Sequence, residues 1–280
     1  MTNNKENFID KKIQEDLSPT RNLSGLHLKI VASIAIIWSL FQLWYASPFP
    51  FMFGIGLFKG LPARAIHLGF ALLLAFLIFP INKKGKISFT DVILACSAFL
   101  ACIYIYFFYD QIVDRGGILL DLNLSVLGKQ FLFPIELLIG SFGILILLES
   151  TRRVIGTPLV IVALAFLFFS FFGKYFPEII SHGGLSLKRL VGYHWFDQEA
   201  IFGIPISVSL DFIFLFVLFG ALLDTAGGGK YFLDLAFAMV GKMRGGPAKA
   251  AILGSGMTGL ISGSSIANTV TTGTFTIPIM

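Results

Sequence analysis

Gly259–Met280 reads GLISGSSIANTVTTGTFTIPIM. The stretch is apolar enough to sit in a bilayer. It also carries Ser262, Ser264, Ser265, Asn268, Thr269, Thr271, Thr272, Thr274 and Thr276, with Gly263 among them. A helix that only faces lipid has no use for so many hydroxyls. A backbone that breaks at membrane depth does, because its freed carbonyls and amides need partners. The stretch therefore predicts an all-α, polytopic helical membrane protein with one re-entrant, broken-helix hairpin.

Composition agrees. Of 280 residues, 56% are hydrophobic and 13% charged, against about 25% charged in soluble domains. Mean hydropathy is +0.84. The net charge of +5 comes from basic residues spread over the loops. That pattern fits membrane orientation and gives no reason to expect nucleic acid. Cys96 and Cys102 share one apolar run and, six apart on a helix, point in different directions. Neither a disulfide nor a metal site is indicated. Residues 1–27 are polar and lack the apolar core of a cleavable signal peptide. No GxxxxGK[ST] loop is present, so any transport must draw on an ion gradient or a partner.

Apolar runs fall at about 28–46, 63–80, 91–109, 131–148, 154–172 and 203–223. Each is long enough for one helical crossing, and the reading expects six. With a cytoplasmic N-terminus, the inner segments hold fourteen Lys and Arg and the outer ones seven. The excess predicts an inner (cell) membrane protein with its N-terminus on the cytoplasmic side. Residues 173–202 read as an external amphipathic connector with a short interfacial helix. Residues 229–243 read as a helix along the inner surface, and Pro247 opens the next helix.

The polar tip has two readings. Backbone carbonyls with Ser, Thr and Asn oxygens can coordinate a small hard cation and a solute. Alternatively, Gly259-xxx-Gly263 is a close-packing pattern. Packing needs only a small stripe, so the polar cluster broken by glycine favours coordination. Glu136 and Asp211 are carboxylates in apolar runs and hence functional candidates, although both positions also fit the headgroup level. His67 is expected as a neutral histidine bonded to a neighbouring helix. His182 and His194 are expected to be solvated. Gly254-Ser255-Gly256 lacks a nearby base for serine chemistry, so no enzyme is expected.

FLFVLFGALL at 214–223, GGPAK at 245–249 and SGSSIANTVTTGTFTIPIM at 262–280 carry a family resemblance. With HGGLSLKRLVGYHWFDQEAIFGIP at 182–205, they resemble the fused permease of tripartite ATP-independent periplasmic (TRAP) transporters, whose large subunit is DctM-like. The likeness is strong over Phe202–Met280, and residues 28–172 share only the character of the helical leader. The resemblance implies a sodium-coupled importer of organic anions such as carboxylates. Its substrate arrives on a periplasmic binding protein, usually of the TAXI class. The resemblance further implies sodium as the coupling ion and no organic cofactor. The resemblance also implies that Ser262, Gly263, Ser264, Ser265, Asn268, Thr271, Thr272 and Gly273 belong to the first re-entrant hairpin, near cation or substrate. Asp211 stands where the family more often has a small or hydroxylated residue.

The expected organisation is a cytoplasmic tail (1–27), a helical scaffold (28–172), the connector (173–202) and the start of the transport region (203–280). The family continues beyond this point. The reading therefore expects a truncated chain or one part of a split permease, inactive without the remainder. The alternative is a non-transporting membrane scaffold, or a decayed gene product, that only docks a partner.

Overall fold

The computed structural model describes residues 20–259 except 22, 59, 82–86, 127 and 128. The chain divides into two compact units, Met1–Ser207 and Val208–Met280.

The first unit begins with α1, Gly25–Ala46, whose N-cap is Ser24. A one-turn helix α2, Phe49–Phe53, follows. Next come α3, Gly60–Ile78, and α4, Phe89–Asp114. These two make the central pair. Leu61, Leu68, Leu72 and Phe76 of α3 are buried, as are Ala95, Ala98, Cys102 and Ile105 of α4. Small residues allow the close approach: a Cβ on Gly69 would lie 3.2 Å from Cys102 Cβ and from Phe99 Cδ2. Such backbone proximity is how helices associate where lipid removes the hydrophobic drive between them.

Beyond α4 the chain forms an antiparallel hairpin of β1, Leu122–Val126, and β2, Lys129–Phe133, with Leu122 opposite Phe133 and Val126 opposite Lys129. The expected helical run at 131–148 is thus shifted. Its first residues are strand, and the helix α5 spans Ile135–Val154 after Pro134. The cause is visible in LNLSV and KQFLF, whose polar and apolar residues do not follow a helical period. α6, Thr157–Phe172, starts after Gly156 (φ 116) and has no buried residue.

The connector packs against the helices of the first unit. Its first part folds back over the end of α6, where the Leu185 N–H donates to Ser170 O at 2.9 Å. Then α7, Leu187–Val191, runs into a π turn, Gly192–Phe196. Leu190, Val191, Trp195 and Phe196 are buried. Gly140 and Gly143 make room for them on α5. A Cβ at Gly143 would meet the Trp195 ring, and one at Gly140 would meet Val191.

A helix α8, Ile204–Val208, leads to a second π turn, Ser209–Ile213. The second unit continues with α9, Phe214–Thr225, α10, Gly228–Val240, and α11, Gly246–Gly259. Its α10 and α11 form a helical hairpin. Leu233 and Ala236 are buried facing Gly254.

Among the described residues, five helices are long and apolar enough to cross a membrane: Gly25–Ala46, Gly60–Ile78, Phe89–Asp114, Thr157–Tyr175 and Ile204–Leu223. The sixth expected crossing, α5, is not one of them. It is 20 residues long but includes Glu136, Glu149, Arg152 and Arg153. The chain is an all-α, multi-pass membrane protein.

Candidate functional site

Ser262, Gly263, Ser264, Ser265, Asn268, Thr271, Thr272 and Gly273 lie outside the described residues, as do Lys83, Lys84 and Lys86, three of the fourteen basic residues counted on the inner side. The arm that leads to the expected tip is described. Gly245 (φ 71) turns the chain, and α11 starts one residue later. Gly254 lets α11 sit close to α10, since a Cβ there would come within 2.6 Å of Leu233. Thr258 Oγ1 donates to Gly254 O at 2.9 Å, as hydroxyls inside helices do. Ser255 is mid-helix and half-buried, with none of the strand-to-helix turn that exposes a nucleophilic serine.

In the first unit, the polar side chains gather at two opposite ends of the helices. At one end, Asp91 is held between two arginines. Arg21 Nη2 donates to its Oδ2 at 2.7 Å and Arg153 Nη1 to its Oδ1 at 2.8 Å. The three side chains are 4%, 3% and 1% exposed, in the order Arg21, Asp91, Arg153. Asp91 also closes the capping box with Ser88 at the start of α4. Arg21 further donates to Leu77 O and, through its backbone N–H, to Ile78 O. The Arg153 guanidinium lies 4.8 Å over the Phe76 ring. One carboxylate therefore joins the segment before α1, the end of α3, the start of α4 and the end of α5. Beside it, Glu149 accepts from both Arg152 and Arg153. The Arg152 guanidinium, aided by Arg153, holds the Glu149 carboxyl down at about 2.

At the other end, Glu136 is buried, 1% exposed. It accepts from Arg115, from Tyr104 Oη at 3.0 Å and from the Leu120 N–H at 2.6 Å. Every contact serves a fixed anion, which marks Glu136 as structural. Lys188 pairs with Asp121 at 2.7 Å. Arg64 donates to Phe202 O at 2.8 Å and to Ser207 Oγ at 3.1 Å. A cavity of about 360 Å³ opens here, lined in part by Gly116, Gly117, Arg189 and Gln198.

His67 is buried between α3 and α1, as expected of a histidine bonded to a neighbouring helix. Its Nδ1 lies 3.3 Å from Trp38 Nε1 and 2.6 Å from Gln42 Nε2. An indole N–H can only donate, so Nδ1 is the acceptor and the ring proton sits on Nε2. His182 and His194 are half-buried and bonded, not solvated. The Nε2 of His182 lies 3.1 Å from Phe169 O, and Nδ1 of His194 lies 2.9 Å from Leu190 O. Asp211 lies in the π turn, half-exposed. Among the described residues, no group of three or more His, Cys, Asp or Glu could hold a metal ion.

The Asp91 cluster was not singled out in the sequence. Its signal was Ser88-x-x-Asp91, the capping-box spacing. Arg152 and Arg153 were read only as topological charges.

Residues 142–280 match the family described as tripartite ATP-independent periplasmic transporter, DctM component. The match begins within α5, well before Phe202. An uncharacterized protein of Salmonella typhimurium, YgiK, is 28% identical over 151 residues, which are 54% of this chain and 30% of that protein. No solved structure matches the chain.

Proposed function

Residues 142–280 match the DctM component of TRAP transporters, and on that basis we propose that the chain is a membrane permease component of a sodium-coupled carrier for organic anions such as carboxylates, working together with the remainder of the permease. A periplasmic binding protein, of the TAXI class, delivers the anion. The protein sits in the inner membrane with its N-terminus in the cytoplasm, as its loop charge indicates.

The observation that carries the reading is that the family match runs through 262–273, a stretch of sequence rich in hydroxyl and amide oxygens among apolar residues. Oxygen ligands suit a small hard cation. An apolar surrounding strengthens the cation's pull on a carboxylate. Ser264, Ser265 and Asn268 would hold sodium, with Thr271, Thr272 and the two glycines shaping the tip. The helices from α1 to α6 serve as the static scaffold. Their buried ion clusters at both ends support that role, because moving such helices apart would expose unpaired charge.

The test is binding of radiolabelled sodium to the purified full chain in lipid nanodiscs. Saturable binding displaced by unlabelled sodium but not by potassium, and lost on S265A/N268A double substitution, is the expected result. Binding that survives the double substitution, or no saturable binding, refutes the site.

A further inference from the structure

We propose that α2 and the turn after it form an anchor laid into the lipid interface on the side of the membrane opposite Asp91. This inference does not depend on the transport reading.

From Ile30 to Phe58 the chain contains no Asp, Glu, Lys or Arg. α1 accounts for the first half of that stretch. The second half, Ser47–Phe58, lies between two membrane-crossing helices and carries no charge. In a water-exposed loop it would be an anomaly. Phe49, Phe51, Met52, Phe53, Ile55 and Leu57 are all exposed, Phe51 at 79% and Ile55 at 68%. A contiguous apolar patch of this kind marks a binding or membrane surface.

Continuity selects the membrane. α1 already turns Ile36, Ile37, Leu40 and Leu43 outward, toward lipid. The patch on α2 extends that face around the end of the helix with no charged residue between and, of polar side chains, only those of the amphipathic Trp44 and Tyr45 and the small Ser47. The loop is also built to stay put. Ser47 Oγ donates to Trp44 O at 2.8 Å, and Trp44 packs on Phe49 with ring centroids 6.4 Å apart. Phe58 returns to Phe41 at 5.3 Å. Gly54 (φ 65) and Gly56 (φ 67) turn the chain, and a Cβ on Gly56 would meet Trp44 Nε1 at 2.9 Å. The aromatic residues Trp44 and Tyr45 stand where interfacial rings collect.

Depth follows from the backbone. Residues 55–58 have no regular secondary structure, so they cannot enter the hydrocarbon centre. A helix lying in the interface plane, roughly 5–10 Å into the headgroup boundary, meets both demands.

Spin labels at F51C, M52C and I55C test this in the full chain. The background is C96A, because Cys96 is exposed while Cys102 is buried. S181C, in the exposed part of the connector, serves as the aqueous control. The protein is reconstituted alone in phosphatidylcholine–phosphatidylglycerol vesicles, and collisions with oxygen and with a water-soluble nickel chelate are compared. Expected is oxygen accessibility above nickel accessibility at all three sites, with the reverse at 181. Nickel accessibility dominating at 51 and 55 would overturn the anchor and indicate an aqueous docking face. Low accessibility to both reagents there would equally overturn it, since a protein surface would then cover the segment.

Discussion

Replacing Gly143 with alanine tests the packing that seats the connector on α5. The added Cβ would lie 2.3–2.6 Å from Cζ2, Cε2 and Cη2 of Trp195, where ordinary contact needs about 3.5–4.0 Å. The indole must retreat by about 1 Å. It has nowhere to go: Trp195 is fully buried, and Phe202 packs edge-on against it with centroids 5.5 Å apart. Overpacking costs about 1–3 kcal/mol, and a rigid, enclosed ring belongs at the top of that range. At about 2–4 °C per kcal/mol for a unit of this size, G143A should melt roughly 6–12 °C below the parent. Two other glycines calibrate the reasoning. At Gly69 the neighbours stand off at 3.2 Å and need yield only slightly, so G69A should cost under about 1 kcal/mol. At Gly256, inside α11, nothing lies within 4 Å, and alanine should stabilise that helix by roughly 0.5–1 kcal/mol. The assay is thermal unfolding of each variant in one detergent, followed by a thiol-reactive dye or intrinsic fluorescence. A G143A melting point equal to the parent's, or below-parent melting for G69A that exceeds that of G143A, would refute the argument.

D91N leaves Arg21 and Arg153 buried without their shared anion, and breaking such a pair costs about 3–5 kcal/mol. The loss should shrink when Arg153 is also made methionine, which a double-mutant cycle of melting points reads directly. Glu149 gives a pH dependence. Its carboxyl is lowered from 4.5 to about 2, so its contribution is present above pH 4.5 and is lost as pH falls toward 2. The group is partly exposed, so the effect is modest. The parent should lose stability more steeply than E149Q between pH 4.5 and 2.5, and parallel curves would remove Glu149 from the account.

The helices were legible because each apolar run is long and continuous. Runs expected to begin at 63, 91 and 203 start at Gly60, Phe89 and Ile204. The hairpin at 122–133 was missed because Phe131–Phe133 is apolar and adjoins a helix, so it was absorbed into the helical run. Trp195 stands among charges in sequence, which hides its burial. Only the glycines at 140 and 143, fifty residues earlier, show that it is a core residue, and that pairing is not a local signal. Glu136 and Asp91 show the same limit. A carboxylate near a helix end can be exposed or locked, and its partners Arg115 and Arg153 are chosen by tertiary contact. The Ser–Gly–Asn–Thr tip stands as a sequence reading, since 262–273 lie outside the described residues.

Asp91 precedes the family-matched region, whereas its partner Arg153 lies inside it. Any chimera that grafts residues 142–280 onto a foreign leader would keep Glu149 against the buried guanidinium but discard Asp91, the second of its two carboxylates. A workable graft should therefore supply an acid at the equivalent start of the third membrane helix to meet the face of Arg153 that Asp91 covers.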